Sequence, residues 1–81
     1  MELVYSERFL EALRRCPPEI RKAFFKQSRL LLQNLRHPSL RAKKYDETKG
    51  IWQARVTRGW RFYFVIEGDA YRLHTITPHP K

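Results

Sequence analysis

The chain has 81 residues, and its 17 Lys+Arg against 8 Asp+Glu leave a formal net charge of +9. So short a chain bounds the protein to one domain, residues 1–81, which buries only about 60% of its unfolded surface and would profit from a partner. A hydrophobic share of 42% excludes a disordered basic tail, the lone Cys16 excludes a disulfide framework or a cysteine metal site, and no apolar run approaches the ~20 residues of a membrane span.

The opening Met1-Glu2-Leu3-Val4-Tyr5-Ser6-Glu7 is too acidic and too soon polar for a signal peptide, so a cytoplasmic location is expected. Leu3-Val4-Tyr5 reads as a short strand. Ser6 then offers an N-cap, with Glu7 in the first helical turn and Arg14 and Arg15 in the last, each matching the helix dipole. Tyr5 and Leu10 stand at staple positions. Phe9, Ala12, Leu13 and Cys16 recur at helical spacing, which makes Cys16 a packed thiol rather than a nucleophile. Pro17-Pro18 closes this helix and Pro18 can open the next.

The second helix is expected from about Glu19 to about Arg36, with Ile20, Ala23, Phe24, Leu31 and Leu35 on one face. Phe25, Leu30 and Leu32 widen the apolar surface, as in a helix that meets a second layer or another chain. His37, before Pro38, marks the helix end. Pro38 to Lys49 is a basic connector, with a short edge strand near Lys43 to Tyr45. Beyond it the period changes from 3.6 to 2, and Ile51–Thr57, Trp60–Glu67 and Ala70–Thr77 read as strands. The expected fold is α+β: an N-terminal strand, a helical hairpin, then an antiparallel β-meander packed on the helices.

Strand register decides which side chains share a face. A three-residue loop Thr57-Arg58-Gly59, with Gly59 left-handed, pairs Val56 with Trp60, Ala54 with Phe62 and Trp52 with Phe64. The opposite face then receives Arg55 across from Arg61, and Gln53 across from Tyr63. The alternative two-residue loop would mix charge with aromatics on both faces. Gly68 suits the first central position of a type II′ turn, giving Val65 with Arg72, Phe64 with Leu73, Tyr63 with His74 and Arg61 with Ile76. One face is thus aromatic; the other carries Gln53, Arg55, Arg61, Tyr63, Arg72 and His74. No carboxylate is expected among these cations. Their repulsion has a natural explanation in a phosphate ligand.

Charge is also uneven along the chain: residues 1–35 carry +3 and residues 36–81 carry +6. Arg36, Arg41, Lys43 and Lys44 form a stretch without acids, and such a field attracts nucleic acid first, acidic proteins or anionic lipid next.

With these features in order, the sequence resembles the RelE/ParE superfamily of toxins from type II toxin–antitoxin pairs. The resemblance rests on the element order and on His37-Pro38-Ser39-Leu40 leading to Lys43-Lys44. It also rests on Gly50-Ile51-Trp52-Gln53-Ala54-Arg55-Val56, Gly59-Trp60-Arg61-Phe62-Tyr63 and Ile76-Thr77-Pro78-His79. It implies a toxin neutralised by an acidic antitoxin. In the RelE-like branch, the toxin is an endoribonuclease that cleaves mRNA, usually in the ribosomal A site, without metal or other cofactor. The ParE-like branch instead poisons DNA gyrase, and a non-catalytic RNA-binding module is a further alternative. The positions matching the ribonucleases are Arg55, Arg61 and His79. Gln53 stands where some relatives have a lysine, no glutamate base is near, and the chain lacks the C-terminal Tyr or Arg of some relatives.

Cleavage through the 2′-hydroxyl requires a deprotonated nucleophile, stabilised charge at phosphorus and a protonated leaving oxygen. Arg55 and Arg61 suit the charge, while His79, with His74 as a possible partner, suits proton transfer. Lys43, Lys44, Gln53, Tyr63, Arg72 and Lys81 complete the expected RNA-binding set, Tyr63 by stacking on a base.

Overall fold

The computed structural model describes residues 1–79. The first strand, β1 (Glu2–Tyr5), runs into Ser6, whose Oγ accepts a hydrogen bond from the Phe9 amide at 3.0 Å and caps helix α1 (Glu7–Arg15). Tyr5 leans on the buried Phe9 ring, with centroids 6.0 Å apart. Phe9 and Leu13 face the core. Cys16 is buried and its thiol donates to the Ala12 carbonyl at 3.3 Å. Burial raises the thiol pKa, with Arg21 pulling the other way, so the group stays protonated near neutral pH.

Pro18 opens α2 (Pro18–Gln33), which buries Ile20, Phe24, Gln27, Ser28 and Leu31. The helix stops short of the expected Arg36. Asn34 is extended at φ −165°, and its side-chain oxygen accepts from the Arg36 amide at 2.9 Å. A short amide side chain offers the backbone this local alternative to another helical turn. His37 is therefore not the end of α2. It caps a 3₁₀ turn, Pro38–Leu40, through Nδ1 accepting from the Ser39 amide at 3.1 Å, and Leu40 fills the core.

The remaining strands are β2 (Lys43–Asp46), β3 (Ile51–Thr57), β4 (Trp60–Glu67) and β5 (Ala70–Pro78), in the sheet order β1-β5-β4-β3-β2. β1 joins β5 in parallel; the other pairs are antiparallel. Between sheet and helices, the rings of Phe9, Phe24, Phe62 and Phe64 are fully buried, with Phe24 edge-on to Phe62 at 5.2 Å. Each such ring contributes about 1.5–3 kcal/mol through burial. Trp52 and Trp60 pack at the border of this cluster.

The expected pairs Trp52 with Phe64, Gln53 with Tyr63, Ala54 with Phe62 and Arg55 with Arg61 are present. The hairpin tip differs. Thr57, not Val56, pairs with Trp60, leaving a two-residue Arg58-Gly59 loop and a bulge at Val56. Gly59 lacks the positive φ expected of it, which occurs instead at Gly50 and Gly68. The bulge supplies the extra residue that a longer loop would have supplied, so the sorting of faces is unchanged.

On the other side of β4, Val65 pairs with Arg72 and Phe64 with Leu73, as expected around the Gly68 turn at φ 58°. The register then shifts by one. Tyr63 faces Thr75 rather than His74, and Arg61 faces Thr77 rather than Ile76. An unbroken register would have put Ile76 on the open face beside Arg61. The bulge at His74 returns Ile76 to the core opposite Phe62.

Candidate active site

The sheet face away from the helices holds the polar residues. Arg55 and Arg61 are Cα partners across β3 and β4, yet their guanidinium groups serve different surroundings. Arg61 turns back onto the hairpin tip. Its Nη1 donates to the carbonyls of Thr57 at 2.7 Å, Trp60 at 2.9 Å and Arg58 at 3.2 Å. All three bonds use one nitrogen, so among the described residues Nη2 and Nε have no hydrogen-bond partner. The His79 amide donates to the Gly59 carbonyl at 2.7 Å, pinning His79 to the same turn. Arg61 and His79 thereby line one cleft of about 200 Å3 with Arg41, Lys43 and Gln53.

Arg55 instead lines a neighbouring cleft of about 420 Å3 with Lys26, Gln27, Ser39, Arg41, Thr57 and Arg58. Its Nε is buried without a hydrogen-bond partner among the described residues. Burial, then the charges of Arg41, Arg61 and Arg58, push its pKa below the usual arginine value. Gln27 is the frame of this region: its Nε2 donates to the carbonyls of Arg55 at 2.9 Å and Ser39 at 3.1 Å, tying β3 and the 3₁₀ turn to α2.

Towards the middle of the face, the largely buried Gln53 donates to the Tyr63 hydroxyl at 3.0 Å. The Tyr63 ring stands edge-on to Tyr45 at 4.9 Å. These two rings share a third cleft with Ile51, His74, Thr75 and Thr77, roomy enough for a base. No group of three His, Cys, Asp or Glu side chains among the described residues could hold a metal ion.

No protein-family model and no curated protein sequence matches the chain. Solved structures do. The YoeB/ParE toxin from Agrobacterium tumefaciens superposes with a TM-score of 0.80 at 15% identity, covering 99% of this chain and 100% of that one. YafQ from E. coli gives 0.78 at 17% identity, covering 95% and 91% of the two chains. The RelE–RelB complex from Pyrococcus horikoshii gives 0.77 at 13%, covering 95% and 92%. The chain has the RelE/ParE toxin fold.

On this RelE/ParE fold the expected site residues do not form one cluster. Arg61, His79, Lys43 and Gln53 come together, with Arg55 in the adjoining cleft and Tyr63 further along the face. His74 lines clefts with Tyr63 and with Arg72, not with His79, so the expected imidazole pair is not formed. Tyr63 receives its hydrogen bond from Gln53 and not from His74. Arg72 has the carboxylate that was not expected there: its Nε lies 3.0 Å from Glu67 across the Gly68 turn. Lys44 pairs with Trp52, on the face opposite Lys43, and its Nζ lies 5.4 Å from that ring centroid. Lys81 lies outside the described residues.

Arg41, Arg58, Gln27 and Tyr45 were not foreseen. Arg58 had a signal, since it sits on the tip next to Arg61. Arg41 belonged to the acid-free stretch, but its left-handed φ of 47° and its position between two clefts depend on the 3₁₀ turn. Tyr45 reaches Tyr63 where the β2 register shifts, a bulge that no spacing rule announces.

Proposed function

We propose that the chain is the toxin of a toxin–antitoxin pair, and an endoribonuclease that cuts mRNA engaged on the ribosome. The superposed YoeB, YafQ and RelE structures support this, two of these types having been solved with antitoxins as RelE–RelB and YoeB–YefM complexes. The acidic antitoxin would complement a net charge of +9. The observation that carries the catalytic reading is the meeting of Arg61 and His79 in one cationic cleft with Arg41 and Lys43.

In this mechanism the 2′-oxygen attacks the adjacent phosphorus, and the bond to the 5′-oxygen breaks. The products are a 2′,3′-cyclic phosphate and a 5′-hydroxyl. Arg61, through its free Nη2 and Nε, and Arg41 hold the non-bridging oxygens, where negative charge grows in the transition state. Protonated His79 delivers its proton to the departing 5′-oxygen, and the proton of the 2′-hydroxyl passes to solvent. Gln53 fixes Tyr63 so that a base can stack on it.

The test is induced expression with mapping of cellular RNA ends, beside folded Arg61→Ala and His79→Ala variants. Cuts within coding sequence that vanish in both variants are expected. Intact RNA during full growth arrest, or arrest unchanged in Arg61→Ala, would refute the reading.

A further inference from the structure

Apart from Arg41, which lines both clefts, the residues of the Arg55 cleft are not used by that chemistry. β2 begins at Lys43 opposite Gln53, so the edge of β3 beyond Gln53 has no strand beside it. There the cleft opens between α2, the 3₁₀ turn and the hairpin tip. Lys26, Arg41, Arg55 and Arg58 line it, without a carboxylate among the lining residues. The one ion pair among the described residues, Arg72 with Glu67, lies elsewhere. Four cations gathered in this way repel one another, and the buried Arg55 Nε adds a donor with nothing to donate to. Arg41 is held left-handed, a conformation unfavourable for any residue with a Cβ. Each feature is a cost in the free protein; an oxyanion in the cleft relieves the crowding of the cations and the orphaned donor, and the strained backbone of Arg41 holds its side chain at that place.

We propose that this cleft is a second phosphate site, holding a backbone phosphodiester of single-stranded RNA beside the one at Arg61 and His79. The inference rests on the RNA reading above. Arg41 lines both clefts and so makes them neighbours, as successive phosphates of one strand are. Guanidinium forks match phosphate oxygens two at a time. The apolar lining is limited to Ala23 and Val56, which gives an acidic peptide little to grip. The strand would pass from the open sheet face over the uncovered edge of β3 towards α2.

The probe is a short fluorescent 2′-O-methyl RNA, which lacks the attacking hydroxyl and is not cut, titrated across a salt series with the wild-type chain and variants. Arg58→Ala and Lys26→Ala should each weaken binding several-fold and lower the slope of log affinity against log salt by about 0.7, one single-strand phosphate contact. Arg58→Lys should keep most of the slope. Arg15→Ala, the same charge change on exposed α1, should leave both quantities unaltered. The site is refuted if Arg58→Ala behaves like Arg15→Ala, if the wild type does not bind the probe, or if Arg58→Ala weakens only binding of poly-glutamate. Cleavage of unmodified RNA, measured separately, keeps the two readings apart. Cutting with unchanged slopes removes the second phosphate site alone, while altered slopes in a chain that cuts nothing remove the nuclease alone.

Discussion

The open face of the sheet places arginines at both ends under opposite conditions. At the Gly68 end, Arg72 is well exposed and has Glu67 at 3.0 Å. At the Gly59 end, Arg41, Arg55, Arg58 and Arg61 share two clefts that no carboxylate of the described residues lines, and among those residues Arg61 is held only by backbone carbonyls. Both ends are hairpin turns on the same strand, β4, so topology does not explain the difference. A surface arginine kept for solubility gains from a neighbouring acid and loses nothing by it. A group of arginines kept apart from acids retains its field for an anion from outside. The unpaired end is therefore where the proposed RNA site is placed.

The sharpest way to break this comparison is to truncate one arginine at each end. Arg61→Ala should lower the rate of RNA cleavage on the order of 10²–10³-fold, the usual loss for one transition-state donor. Arg72→Ala should change it by no more than about threefold, as expected for a charge at the rim. The histidines repeat the contrast, His79→Ala costing on the order of 10²-fold and His74→Ala little. Equal losses at Arg61 and Arg72 in a cleavage assay would mean that the whole face acts as one diffuse basic surface.

A second contrast concerns rigidity. The Gly59 end is braced from behind by Gln27, whereas among the described residues no buried side chain braces the Gly68 turn in the same way. Gln27→Ala leaves two carbonyls, those of Ser39 and Arg55, without their donor, which should cost about 2 kcal/mol in urea denaturation. The same variant should weaken RNA binding, because the Arg55 backbone loses its anchor. Unchanged stability would show that water replaces the amide and that the brace is dispensable.

The layers of the fold were legible because the signals were periodic. Phe9 and Leu13 at helical spacing, and Trp52, Ala54, Phe62 and Phe64 in alternation, assign the core without ambiguity, and Ser6 announces its own cap. The site was only half legible. Alternation places Arg55 opposite Arg61, but it does not say that the Arg61 guanidinium folds onto its turn while Arg55 lines a different cleft. His74 was misplaced because a bulge is a single-residue event, set by the gain from burying Ile76 rather than by any residue preference at position 74. Glu67 shares the open face with Arg72 by the same alternation, as its diagonal neighbour one pair nearer the turn, so its neutralising role was within reach of the expected register and was missed. Gln27 carries no signal of its own in the sequence, and only the arrival of the 3₁₀ turn and β3 gives it partners.

Arg41→Gly separates backbone from charge at the Gly59 end. At φ 47° glycine removes the penalty of a left-handed Cβ, so stability should rise by about 1 kcal/mol even as RNA affinity falls. A gain in thermal midpoint together with a loss of binding is the signature of strain retained for function. A loss of both would instead make the Arg41 side chain part of the scaffold.

The smallest effect is the most specific test of why the Gly68 end is silent. Glu67→Gln releases Arg72 without changing shape. Because the two side chains are 54% and 57% exposed, the pair contributes no more than about 0.5 kcal/mol, and the thermal midpoint should hardly move. The freed guanidinium then adds one uncompensated charge to the open face. If the two phosphate clefts do the binding, RNA affinity should rise by about twofold or less, with the salt slope unchanged, since Arg72 still lines neither cleft. A gain near tenfold with a steeper slope would mean that Glu67 masks a binding cation. The difference between the two ends would then be one of regulation by a neighbouring acid, and position on the sheet would cease to be its cause.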